Sequence, residues 1–271
     1  MTLDLRGRIA IVTGASSGVG VATARLFAAQ GATVVLAARR AETIATHAAD
    51  LNGLAIATDV TRFADLQALV NTTVAKFGRI DILVNNAGTN ARGDFGTISP
   101  DAIAAIVDTN LKAPMLLTSL ALPHLINSKG VVINVASIAG HIPLPGEAPY
   151  SASKWGLRGF TFAVREEMQS RGVALCAVSP GPIATPFIFD DLDDTPDLVF
   201  SQPFLTAEHV ADAVLACARD RKRERAMPRS TLFLARLAAR FPSFQELLRP
   251  SLEAKGRKIK ARMIAERRNA N

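Results

Sequence analysis

Tyr150 and Lys154 stand four residues apart in Tyr150-Ser151-Ala152-Ser153-Lys154, and Tyr150 is the only tyrosine among 271 residues. On a helix that spacing puts both side chains on one face. A free phenol titrates near about 10, too high for ready proton exchange at neutral pH. A neighbouring ammonium favours the phenolate, so the pair could give a proton to a carbonyl oxygen or take one from an alcohol. Ser137 lies 13 residues before Tyr150, just after the β-branched run Val131–Val135. From there its hydroxyl could hydrogen-bond the same oxygen and orient it. No metal is expected, because His47, His124, His141 and His209 are scattered without ligand spacing.

These groups need a scaffold, and the hydropathy pattern supplies one. Apolar, β-branched runs occur at Ile9–Thr13, Thr33–Ala37, Leu54–Thr58, Ile80–Asn85, Val131–Val135 and Val173–Val178. Helical spacing fills Val19–Gln30, Phe63–Phe77, Pro100–Leu120 and Ser151–Ser170 between them. Continuous apolar strands alternating with helices imply an α/β fold, a doubly wound parallel sheet of Rossmann type covered on both faces. Such sheets bind ligands at the carboxyl ends of their strands. There, between the first strand and the first helix, stands Gly14-Ala15-Ser16-Ser17-Gly18-Val19-Gly20. Glycines let the backbone turn tightly against a pyrophosphate, and the helix N-terminus offers unpaired N–H groups, so the turn reads as a dinucleotide site.

The spacing Thr13-Gly14-x-x-x-Gly18-x-Gly20, joined to Asn85-Asn86-Ala87-Gly88 and to Tyr150-x-x-x-Lys154, resembles the short-chain dehydrogenase/reductase family over roughly residues 5–228. The resemblance implies a nicotinamide-dependent oxidoreductase that interconverts a carbonyl and a secondary alcohol. It implies that Gly14, Ser16, Ser17, Gly18, Val19 and Gly20 form the cofactor turn. Asp59-Val60 would contact the adenine, and Asn86, Ala87 and Gly88 would steady the sheet beside the cofactor. Lys154 would hold the nicotinamide ribose, and the positive ring of the oxidised cofactor would also favour the Tyr150 phenolate. Asn110, in Thr109-Asn110-Leu111-Lys112, matches the family's catalytic asparagine, which stabilises a kinked helix and a water that relays protons to the lysine. The turn Pro180-Gly181 leads to Ile183 and Thr185, the positions that touch the nicotinamide carboxamide and phosphates and imply pro-S hydride transfer. With Asn110, Ser137, Tyr150 and Lys154 all present, an enzyme is favoured over a catalytically silent dinucleotide-sensing scaffold acting through its tail.

Cofactor choice turns on Val34-Val35-Leu36-Ala37-Ala38-Arg39-Arg40. An acidic residue near this point would bind the ribose hydroxyls and repel a 2′-phosphate. Ala38 falls where NAD-preferring relatives tend to carry Asp, and the Arg39 guanidinium can fork onto a phosphate. NADP(H) is therefore favoured, NAD(H) stays open, and Arg40 reads as a solvated helix start.

The chain is 49% apolar and 20% charged, which excludes a disordered protein. Cys176 and Cys217 read as small buried residues in a reducing compartment. Met1–Arg8 has no apolar signal core and no stretch reaches membrane-spanning length, so a cytoplasmic location is expected. Net charge is +7, but residues 219–271 hold 16 Lys/Arg against 5 Asp/Glu, a net +11, and the first 218 residues hold a net −4. A catalytic domain over 1–228 thus precedes a basic, helical, amphipathic extension over 229–271. Leu232, Phe233, Leu237 and Phe241 alternate there with Arg236 and Arg240, and Ser243 with Glu246 has capping-box spacing. The extension fits a lid or dimer-packing helix or a helix lying on an anionic membrane. Nucleic acid is not expected, since stacking aromatics are absent after Phe244. Residues 185–205, with five aspartates among Phe187, Ile188, Phe189, Leu198 and Phe200, read as a substrate lid. Ile138, His141, Ile142, Leu144 and Pro145 would face it across a mainly apolar pocket, implying a lipophilic carbonyl or alcohol substrate. A homo-oligomer, dimer or tetramer, is expected.

Overall fold

The computed structural model describes residues 3–228 and 240–270. The β-branched runs become strands β1 (Ile9–Thr13), β2 (Thr33–Ala38), β3 (Leu54–Ala57), β4 (Ile82–Asn85), β5 (Val131–Val135) and β6 (Ala174–Pro180), followed by β7 (Glu224–Met227). All pairs are parallel, in the order β3-β2-β1-β4-β5-β6-β7. The helices are α1 (Gly18–Ala29), α2 (Ala41–Asp50), α3 (Phe63–Phe77), α4 (Pro100–Val107), α5 (Ala113–Ser128), α6 (Ala148–Met168), α7 (Pro186–Phe189), α8 (Asp197–Phe200), α9 (Ala207–Asp220) and α10 (Pro242–Ala270). Successive strand residues point to opposite faces, and this splits the core in two. Ala10 and Val12 of β1 pack with Phe27 of α1, Ile44 of α2 and Val214 of α9. Ile9 and Ile11 pack with Leu66 of α3 and Leu117 of α5 on the other face.

Strand order reverses between β1 and β4, and the crossovers leave the carboxyl ends of these two strands open. Thr13, 2% exposed, ties the two ends together. Its hydroxyl oxygen accepts the backbone N–H of Asn86 at 3.0 Å and of Ala87 at 3.1 Å, and donates to the Val84 carbonyl at 3.3 Å. The Asn86 side chain returns a hydrogen bond to the Thr13 carbonyl at 3.0 Å. Below this knot the Asn85 amide donates to Asn134 at 2.8 Å, and Asn134 donates to Thr161 at 2.8 Å, linking β4, β5 and α6 through the core.

Two helices differ from their sequence pattern. The segment expected as one helix over Pro100–Leu120 is α4, a π turn over Asp108–Lys112, and then α5, which runs on to Ser128. Ser99 caps α4 by accepting the Ala102 N–H at 3.2 Å. The wide turn rotates Asn110 inward, and such bulges recur at functional sites. Helix α6 begins at Ala148 rather than Ser151, because Pro149 already suits a first helical turn. The segment expected as a lid contains α7 and α8, and α10 follows the expected helix start near Ser243. Leu232, Phe233, Arg236 and Leu237 lie outside the described residues. Among the described residues no helix is long and apolar enough to cross a membrane.

Thr13→Val keeps shape and removes the knot's oxygen, stranding two part-buried N–H groups at about 1–3 kcal/mol each. Urea unfolding should therefore show a loss of about 2–6 kcal/mol, accompanied by weaker dinucleotide binding; an unchanged midpoint would remove the knot from its structural role.

Candidate active site

The switch-point crevice opens into one cleft of about 1060 Å³. Gly14, Ser16, Ser17, Gly18, Val19, Arg39, Asp59, Val60, Asn86, Ala87, Gly88, Ser137, Tyr150, Lys154, Pro180, Gly181, Ile183 and Thr185 all lie on its wall. Gly20 and Asn110 stand behind that wall. A side chain at Gly20 would overlap the Gly14 carbonyl oxygen, so this glycine shapes the turn from below.

The turn fits a dinucleotide. Gly14 has φ +65, and a Cβ there would stand 2.9 Å from the Ala87 Cα, so only glycine lets the two strand ends approach. The first-turn N–H groups of α1 have no side-chain cap, since Ser17 at the N-cap makes no such bond. They are the free donors that a phosphate requires. Thr185 closes over the turn, 3.3 Å from where a Cβ on Gly18 would lie. Asp59 borders the far end, its carboxyl held below the usual range first by the backbone N–H of Thr61 and then by the Thr61 hydroxyl.

Arg40 is the exposed helix start expected of it, at the N-cap of α2, and its side chain also reaches the glycine turn. Its Nη2 donates to Ser16 at 2.9 Å and to Ser17 at 3.0 Å, so the guanidinium lies across the glycine turn. Both Arg39 and Arg40 border the cleft.

The candidate reacting groups stand on α6 and just after β5. Lys154 Nζ donates to the Val135 carbonyl at 2.9 Å and lies 5.6 Å from the centre of the Tyr150 ring. Asn110 is fully buried and engaged on both ends of its amide. Its oxygen accepts the Thr89 N–H at 2.9 Å, and its nitrogen donates to the Thr89 carbonyl at 2.8 Å and to Ser153 at 3.1 Å. Ser153 donates in turn to the Tyr150 carbonyl at 2.7 Å. Asn110 thus positions the first turns of α6 through Ser153.

A family model described as short chain dehydrogenase matches residues 8–194. The chain belongs to the short-chain dehydrogenase family. Among curated relatives of this dehydrogenase, a 3-oxoacyl-[acyl-carrier-protein] reductase of Synechocystis sp. is 39% identical over 72% of this chain and 82% of its own. Borneol dehydrogenase, mitochondrial, of Lavandula x intermedia is 37% identical over 80% of this chain and 85% of its own. Among solved structures, a 3-ketoacyl-(acyl-carrier-protein) reductase of Brucella melitensis complexed with NADH superposes with a TM-score of 0.76 at 29% identity, covering 83% of this chain and 99% of that one.

Two features of this dehydrogenase escaped the sequence. The first is Arg92, whose side chain is only 3% exposed. It donates to Glu147 at 3.1 Å, to Asp191 of the lid at 3.1 Å and to the Phe187 carbonyl at 3.2 Å. Asn90 donates to the same Glu147 oxygen at 2.9 Å. Burial raises the Glu147 carboxyl above its ordinary range and Arg92 opposes it. No local pattern marks Arg92, because its partners stand 55 and 99 residues away. The second is a buried cluster that claims His141. Its Nε2 lies 2.9 Å from Glu224, which also accepts from Arg158 at 2.8 Å and Ser179 at 2.8 Å. Burial works to raise the Glu224 carboxyl, but His141, Arg158 and Ser179 together hold it well below the usual range. His141 and Pro145 are therefore not pocket walls, whereas Ile138, Ile142 and Leu144 are.

Burial also acts on Tyr150. Its phenol is pushed up to about 12, chiefly by burial and then by the Glu147 charge, while a hydrogen bond with Ser137 and the charge of Arg92 pull it down. Burial instead brings Lys154 down to about 8. In this state Tyr150 is a poised proton donor, and Lys154 is the group that titrates near neutrality.

Tyr150→Phe should therefore lower kcat for carbonyl reduction by about 10²–10⁴ with cofactor affinity retained, read by dinucleotide consumption and by titration of the cofactor. Below about 8 Lys154 is charged and can stabilise the phenolate as its proton leaves. In the wild type kcat/KM for reduction should hold level through neutrality and decline above pH about 8. A profile level to pH 9.5 would separate Lys154 from the step.

Proposed function

We propose that this chain is an NADP(H)-dependent oxidoreductase that reduces the carbonyl of a mainly apolar substrate, of 3-oxoacyl type, to a secondary alcohol, or runs the reverse. The nicotinamide supplies or accepts the hydride when bound. Tyr150 gives its proton to the carbonyl oxygen, Ser137 holds that oxygen, and Lys154 holds the ribose and the charge beside the phenol. Arg92 and Glu147 set the potential at Tyr150 and connect it to the lid.

One observation carries the preference for NADP(H). The Arg40 guanidinium is anchored on Ser16 and Ser17 beside Arg39, with Ala38 in place of a carboxylate. Two guanidiniums at the ribose end of a dinucleotide site bind a 2′-phosphate by charge-assisted contacts that a bare hydroxyl offers only weakly. Substrate class rests on the walls beyond Tyr150, where Ile138, Ile142, Leu144, Phe187, Leu198 and Val199 are apolar. Relatives described as ketoacyl reductases and as a borneol dehydrogenase act on substrates in keeping with such walls. The alternative of a catalytically silent scaffold is not favoured, since Tyr150, Lys154 and Ser137 share one cleft. The buried free thiols Cys176 and Cys217 support a reducing, cytoplasmic setting. The exposed Val107, Met115 and Trp155 on adjoining helices support a homo-oligomer.

The decisive assay is NADPH and NADH consumption against a panel of apolar ketones, 3-oxoacyl thioesters and polar hydroxy acids. Apolar carbonyls should be preferred and NADPH should be the better cofactor. Arg39→Asp and Arg40→Ala should each lower the NADPH/NADH ratio of kcat/KM by about tenfold or more, the scale of one lost charge-assisted contact. A ratio unmoved by both, or a preference for polar hydroxy acids, would overturn the corresponding half of the proposal.

A further inference from the structure

The catalytic groups make no use of the basic extension, yet α10 reaches their cleft. Leu248, Arg249 and Leu252 line it together with Leu198, Val199 and Gln202 of the lid. Residues 248, 252, 256, 259 and 263 recur at helical spacing and share one face. Farther along that face Ile259, Met263 and Ile264 pack on Ile188, Leu192 and Phe200. Between the two groups Gly256 is buried, and a side chain there would overlap the Asp197 carbonyl oxygen, so the helix backbone rests directly on α8.

Charge holds the same contact. Arg257 donates to Asp197 at 3.0 Å, and Lys260 Nζ donates to the carbonyls of Asp193 at 2.6 Å and Thr195 at 2.8 Å. The acidic lid and the basic helix are complementary partners within one chain. A helix lying on a membrane must offer its apolar stripe to lipid. Over residues 252–264 that stripe faces the cleft and the lid instead.

We infer that α10 is the outer wall of the substrate compartment, and that Leu248 and Leu252 are specificity-determining residues that set the length of apolar arm the compartment accepts. The inference rests on the reading of Tyr150 as the point where the substrate carbonyl binds. The apolar arm runs from there past Leu198 and Val199 and ends against α10. Arg249 contributes its alkyl stem to the wall, while Glu253 holds its Nε at 2.6 Å. The substrate class is thus a carbonyl compound bearing a hydrocarbon arm. The arm's far end is recognised by the extension and not by the sheet.

A homologous series of straight-chain ketones of rising length tests this in the full-length protein, with wild type, Leu252→Ala and Leu252→Trp compared. Each methylene buried against the wall is worth about fourfold in kcat/KM. Leu252→Trp should cut kcat/KM for the long members by tenfold or more, through KM, and leave the short members and cofactor affinity unchanged. Leu252→Ala should move the optimum to longer members. Gly256→Val, which pushes α10 off Asp197, should flatten the length dependence altogether. Calorimetric titration of the same series into NADP-loaded protein reads the wall independently of turnover. Length-dependent affinity that moves with Leu252, without turnover, would uphold the inference and overturn the catalytic reading. Turnover whose length profile is the same within twofold in both Leu252 variants would overturn the inference and leave the catalytic reading intact.

Discussion

The close approach of two strand ends governs this molecule. Gly14 after β1 and Ala87 after β4 come so near that no side chain fits between them, and the Thr13 hydroxyl holds both. A parallel sheet that reverses its winding direction must open a crevice at that point. Here the crevice floor is a knot of hydrogen bonds between the Thr13 and Asn86 side chains and the backbone. Everything that faces a ligand is referenced to it: the free N–H groups of α1 on one side, the Asn86–Gly88 turn on the other. The amide ladder from Asn85 through Asn134 to Thr161 carries the same reference into α6. The helix that bears Tyr150 is thereby in register with the turn that would bear the cofactor.

Burial at the end of that helix does two opposite things to two groups. It disfavours the charged form of each, so the Tyr150 phenol rises to about 12 and the Lys154 amine falls to about 8. Their ordinary values are nearly equal, and the environment separates them into a firm proton donor and a group that titrates close to neutrality. For the proposed reduction, the asymmetry would let the phenol give up its proton only as the carbonyl oxygen becomes basic. Arg92 and Glu147 refine it from the lid side, and Asn110 fixes its geometry from behind through Ser153. Positioning and acidity are therefore set by different residues.

Much of this was legible in the sequence because its physical cause is local. Runs such as Ile9–Thr13 and Val131–Val135 become strands with those bounds, since a strand buried on both faces needs little beyond continuous apolar, β-branched residues. The glycine turn and the Tyr150–Lys154 spacing were readable for the same reason. What remained hidden depends on partners distant in the chain. Arg40 is exposed, as its place at a helix start implies, but its reach to Ser17, 23 residues before it, emerges only once the chain folds. His141 looks like a pocket residue until Glu224, 83 residues on, claims its ring. The π turn at Asn110 interrupts a pattern whose apolar spacing is continuous, because the inward rotation is rewarded by Thr89 and Ser153 and not by neighbours along the helix.

The division of charge shows how a global property can mislead about partners. A net +7 chain invites an anionic partner, but an excess of +11 concentrated after residue 218 meets an aspartate-rich lid in the acidic remainder. Arg257 and Lys260 satisfy that lid directly, and they do so where Ile259 and Met263 are already buried against it. Such exposed pairs are individually weak. Their contribution is register: Arg257 and Asp197 meet only where Gly256 admits the α8 backbone, so charge and shape select the same docking position for α10. The segment that makes the chain basic thereby becomes part of the wall that the substrate meets.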